Sequence, residues 1–331
     1  MKSKFYLLWV WIFLSVSCAN LEKREVVDLM SDKVMNRLSD SSFFSSIPCV
    51  GEYDGDIYMS DRKRCQIFRL DSNLNLLKTI GMQGHGPQDF GYIEHFVISK
   101  DTIFVGDVTK MRILRFTTDG QFCGSENPDG KIPLNYRFAT NAGNLFYTYP
   151  EGVAGKALID YDRKSGQLNW FGRTADFGHP NKTKRQNERG VHLWGDRLVV
   201  VPMSIPVIEI YHAGTRELEQ SVDISSVPVV QAMYRKMAND RTIASSPDSF
   251  YLIFLDSYLH QDALYILASV YVNDKLDHSA LLEFDLSHGG AEWVRQYDFP
   301  DWVLKICVTD DYIYGFVPKS SSIKRYPLPK H

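Results

Sequence analysis

Short runs in which apolar and polar residues alternate recur along this chain at a nearly constant distance. One set reads DIYMSD (56–61), DTIFVGD (101–107), NLFYTYP (144–150), DRLVVVP (196–202), DALYILA (262–268) and DYIYGFV (311–317), with starts 45, 43, 52, 66 and 49 residues apart. A second set follows each at short distance: QIFRLD (66–71), RILRFT (112–117), ALIDYD (157–162), VIEIYH (207–212), ALLEFD (280–285) and SIKRYP (322–327). Turn-rich pieces such as DSNLNLLKTIG (71–81), TTDGQFCG (117–124) and DRKSGQLNWFG (162–172) then lead into a third strand. Alternation of period two marks strands, and small antiparallel sheets repeated at this spacing are the pattern of propeller blades. The fold predicted is all-β, a six-bladed β-propeller over residues 43–331.

The sixth repeat ends at Pro327-Leu328-Pro329 with no room for an outer strand. A ring must close, because an open edge exposes unpaired backbone donors and acceptors. The expected donor is the segment from Glu25 to Met30, with Phe43 to Cys49 as the innermost strand of the first blade, so that the two ends meet in one blade. Ser31 to Ser46 is expected to cross to the ring as turns with a short helix. Two longer connections interrupt the rhythm: the polar excursion 173–190 and the stretch 225–249, which holds a candidate helix from Val230 to Ala238. Long insertions on a repeat scaffold often line its functional face, although they can equally pad the gaps between blades.

The amino-terminal residues depart from this pattern. Lys2 and Lys4 precede an apolar run from Phe5 to Val16, followed by Ser17 and Cys18. This is the layout of an export signal, and the run is short of the ~20 residues a spanning helix needs. Two processings fit. In the first, residues 1–17 are removed and the chain is acylated at Cys18, with residues 18–42 as tether and possible ring-closing strand. In the second, Ser17-Cys18-Ala19 is an ordinary cleavage site. The first is adopted here, and it makes the lipid bilayer a partner through acylated Cys18 and places the protein at the outer membrane or cell surface.

Charge narrows the partners. The formal net charge is −3, about −5 once the leader lysines are gone, and no long basic run occurs. Nucleic acid is therefore not an expected partner. Cys49, Cys65, Cys123 and Cys307 match no dense disulfide framework and are read as buried small side chains. No CxxC, HExxH, phosphate-binding or GxSxG fingerprint is present, and no cofactor is implied.

The chain resembles the six-bladed β-propeller lipoproteins of the Bacteroidetes, relatives of NHL-repeat propellers. The leader ending at Cys18, the phrase DIYMSDRKRCQIFRLDSNLNLLKTIG and the junction GMQGHGPQDF (81–90) carry the resemblance. Asp89 stands where the family more usually has Glu. The resemblance implies an envelope location and no general reaction. Binding of a glycan, a peptide or an envelope protein is the leading expectation, with His85, Tyr92, Tyr136, Tyr149, Phe177, Trp194 and Tyr234 as candidate contacts, since aromatic faces offer apolar area with polar edges. The same side chains are common as sheet packing. The alternative is a channel-centred metal-assisted lyase or hydrolase, which needs two or more of His85, His192, Asp56, Asp107 and His260 around one axial pocket.

Overall fold

The computed structural model describes residues 25–38, 41–132, 136–246 and 248–329. Six antiparallel sheets follow one another in chain order, and both repeat sets fall on their second and third strands. The inner strands are Cys49–Tyr53, Ile93–Ser99, Ala139–Thr140, Arg189–Trp194, Phe254–His260 and Lys305–Val308, in blades 1 to 6 respectively. The pleat explains the alternation. In the second strand of blade 4, Leu198 and Val200 pack against blade 3, whereas Val199 and Val201 pack against blade 5. Both faces of a blade are thus buried, and six apolar clusters fill the six gaps of the ring.

The ends do meet in one blade, with a different donor from the one expected. Lys33–Met35 pairs antiparallel with Ser322–Pro327 and supplies the missing outer strand of blade 6. Arg325 clamps this register through a two-pronged pair with Asp32, at 3.0 and 2.8 Å. Val26–Asp28, inside the expected donor, instead lies parallel to Glu292–Asp298 as a fifth strand of blade 5. The inner strand of blade 1 begins at Cys49 and does not end there. Residues 31–46 carry that strand and an Arg37–Phe43 bridge, with no helix among the described residues. Cys18, the expected acylation site, lies outside the described residues.

The glycine-rich junction is a packing device. Gly81 has φ +77°, and a Cβ there would collide with the ring of buried Phe90. Asp89 Oδ2 accepts from the Gly86 N–H at 2.8 Å, and Gly84 and Gly86 crowd its carboxylate too closely for side chains of their own. All four described cysteines are free thiols. Cys49, Cys65 and Cys307 are buried as expected, but Cys123 is exposed, because its outer strand turns that face to solvent.

Candidate functional site

Each inner strand brings side chains to the axis, and ionisable residues interrupt these otherwise apolar segments: Glu94 and His95, Arg137, Asp256 and Lys305 are all buried. Arg137 Nε and one terminal nitrogen donate to the two Asp256 oxygens at 2.8 and 2.7 Å. The same guanidinium donates to the carbonyls of Val50, at 3.1 Å, and Ile306, while the Ile306 N–H donates to Asp256 at 3.0 Å. One ion pair thereby joins blades 1, 3, 5 and 6 across the axis. Desolvation would raise the Asp256 carboxyl, but the charges of Arg137 and Lys305 outweigh it and hold it below its ordinary value.

His192 of blade 4 completes the cluster, its Nε2 lying 2.8 Å from Ser257 Oγ. Burial, reinforced by the Arg137 charge, pushes its pKa down from 6.5 to about 3, so it is neutral in the folded state. The unfolded chain binds a proton that the folded chain refuses between those values, so stability falls as pH drops from 6.5 towards 3. The expected slope from this group is about 1.4 kcal/mol per pH unit. Urea titrations at pH 7.5 and pH 5 should show that loss in the wild type and a smaller one in His192→Gln; equal losses would mean His192 is not buried neutral.

The cluster separates two axial hollows. One, of about 410 Å³, opens at the carboxyl ends of the inner strands beside Glu52, Thr140, Leu193 and His260. The other, of about 540 Å³, opens at their amino ends. Connections from an outer strand to the next inner strand emerge on that second side, so both long insertions lie there. They form one wall: Lys182 Nζ donates to the Ile243 carbonyl at 2.6 Å, and Asn181 Nδ2 to Asp248 Oδ1 at 2.8 Å. Helices Pro180–Gln186 and Pro228–Asn239 belong to these insertions, the second extending the expected one by a residue or two at each end.

The second mouth is lined by Pro48, Tyr136, Tyr149, Pro150, Phe250, Leu252, Leu255 and Leu304, with Arg62, Glu151, Lys184, Arg185, Glu188 and Lys305 among them. Arg62 pairs with buried Glu94, whose carboxyl burial pushes up and Arg62 opposes. Lys184 pairs with Glu151, and the Arg185 guanidinium lies 5.5 Å from the Phe250 ring centre. Tyr136 is held neutral by burial and by the neighbouring Glu188 carboxylate, which raise its pKa well above the usual value.

Of the sequence candidates, the structure brings Tyr136 and Tyr149 together in this mouth. Tyr92 stands under Arg62 at its border, 5.5 Å from ring centre to guanidinium. Trp194 is at the opposite end of its strand and donates to Asp262 at 2.8 Å. Tyr234 lines a separate hollow beside helix Pro228–Asn239, Phe177 belongs to the first insertion, where its N–H donates to Thr183 Oγ1 at 3.1 Å, and His85 is exposed in the junction. Of the five residues of the catalytic alternative, His192 and His260 both line the first axial hollow, whereas His85, Asp56 and Asp107 line neither axial hollow. Asp56 pairs with Arg69, Asp107 accepts from the N–H groups of Gly91 and Tyr92, and His260 pairs with Asp310. Among the described residues, no three His, Cys, Asp or Glu side chains are grouped as metal ligands.

The family model described as 6-bladed beta-propeller matches residues 37–226. The chain belongs to that family. No curated protein matches it. Among solved structures, an exported protein of Bacteroides fragilis is 14% identical, covering 92% of this chain and 99% of that one, with a TM-score of 0.57. A member of the DUF4221 family from Bacteroides vulgatus is 11% identical over 90% and 97%, with a TM-score of 0.58. A streptogramin B lyase is 10% identical over 89% and 97%, with a TM-score of 0.52. At these identities the likeness is one of fold, and this scaffold carries proteins of different function.

Proposed function

We propose that this propeller is an exported lipoprotein, anchored through Cys18 to the cell envelope, that binds a ligand in the 540 Å³ mouth at the amino ends of its inner strands. The observation that carries this reading is the joining of both long insertions into one wall over that mouth. Its size suits a small molecule or the end of a chain, so a peptide terminus or glycan end presented at the envelope fits better than a flat protein surface. The leader ending at Cys18 and the exported relative from Bacteroides fragilis support the location. No described helix is long and apolar enough to cross a membrane. In this reading the acyl chains on Cys18 hold the protein, each buried methylene contributing ~0.8 kcal/mol.

One set of strains tests both halves. Cys18→Ala should move the protein from the membrane to the soluble fraction, whereas Leu252→Trp should leave it in the membrane and obstruct the mouth. Glycan, peptide and protein fractions of the envelope are then added to purified wild type and Leu252→Trp. One fraction is expected to raise the melting temperature of the wild type alone; equal responses, or none, would refute the mouth as the site.

A further inference from the structure

The floor of the mouth carries a cation with no counter-ion of its own. Lys305 is 7% exposed. Its ammonium donates to the Leu255 carbonyl at 3.3 Å and lies 5.5 Å from the Tyr136 ring centre. Asp256 is the carboxylate whose field reaches it most strongly, yet both Asp256 oxygens are engaged by Arg137. No ion pair to Lys305 is formed by the described residues, although it faces Glu94, Asp256, Arg137 and Cys49 across the axis. Burying a charge is costly unless it is paired, and burial accordingly disfavours the protonated amine. The open side of Lys305 is the cavity.

Resting on the mouth as binding site, we infer that the ligand is a monocarboxylate with an apolar body, whose carboxylate pairs with Lys305 and whose body lies against Tyr136, Tyr149, Leu255 and Phe250. The walls select the body, since they are mostly aromatic and aliphatic. The charged residues of the lining favour an anion, with Arg62, Lys184, Arg185 and Lys305 against Glu151 and Glu188, and Glu151 is already paired with Lys184. The single ammonium at the floor offers one point of attachment, which suits one carboxylate. A fatty acid and the carboxyl terminus of an apolar peptide share this chemistry.

Octanoate and N-acetylphenylalanine represent the two sources, each with its amide as the uncharged control. At ten times its dissociation constant, a binding acid should raise the melting temperature of the mature protein by about 2 °C. The amides should bind at least tenfold more weakly. Lys305→Met should lose the response to the acid while melting no lower than the wild type, and Lys305→Arg should keep part of it. Response to octanoate alone assigns a fatty acid, and response to N-acetylphenylalanine alone assigns a peptide terminus; either supports the inference. Acids and amides acting alike, neither acid acting, or Lys305→Met responding as the wild type does, would overturn it. Leu252→Trp separates the two readings: loss of binding there with retention in Lys305→Met leaves the mouth and removes the carboxylate, whereas retention in Leu252→Trp removes both.

Discussion

Replacing Arg137 by methionine is expected to destabilise the folded chain by about 3–5 kcal/mol, because it strands the Asp256 carboxylate in the interior without its partner. Asp256 is 1% exposed and keeps only the Ile306 N–H and the field of Lys305 once the guanidinium is gone. The melting temperature should fall by about 5–8 °C. Asp256→Asn should cost a similar amount, since it leaves Arg137 buried with an uncharged partner. The double variant is expected to cost less than the sum of the singles by about 2 kcal/mol, the range found for residues in direct contact. Chemical denaturation of the four proteins provides the test, and strictly additive single effects below ~1 kcal/mol would show that the pair carries no structural weight. The pair also bridges four inner strands, so its loss should loosen the axis and let the two mouths communicate.

The residues of this cluster show why the fold was legible and the site only partly so. Strand alternation is a local property: every second strand buries both faces, and the apolar runs declare it. The helix from Pro228 and the incompleteness of the last blade could be read on the same grounds. The partners of Arg137 could not, because Asp256 and Ile306 lie 119 and 169 positions away and are brought near only by ring geometry. A signal did exist. Arg137, Asp256 and Lys305 are charges placed within or just before apolar inner strands, in NYRFAT, FLDSYLH and VLKICV, and a buried charge there needs a partner from another blade. Candidates chosen as aromatics spread over both mouths and the outer surface, and only Tyr136 and Tyr149 share the second mouth. The missed residues Arg62, Glu188, Phe250 and Lys305 sit in turns or at strand starts, where sequence gives little hint of which end of the axis they face.

Ring closure yields the second large effect, and it separates the two amino-terminal strands. A chain starting at residue 31 loses Val26–Asp28 and buried Leu29, whose N–H donates to the Asp298 carbonyl at 2.9 Å, but blade 6 stays complete. Loss of that burial should cost about 2–3 kcal/mol and leave a soluble, reversible fold. A chain starting at residue 37 also loses Lys33–Met35 and Asp32, so the Ser322–Pro327 strand becomes an open edge and Arg325 loses both arms of its ion pair. Unpaired edges recruit other chains, so this second truncation should unfold at lower denaturant and scatter light on concentration, while the first does not. The order of the two effects is the decisive point. If removal of residues 25–30 alone opened the ring and removal of 31–36 added nothing, the closing strand would be Val26–Asp28 after all. The expected order follows from position: Val26–Asp28 adds a fifth strand to a blade that already has four, whereas Lys33–Met35 is the fourth strand of a blade that otherwise has three.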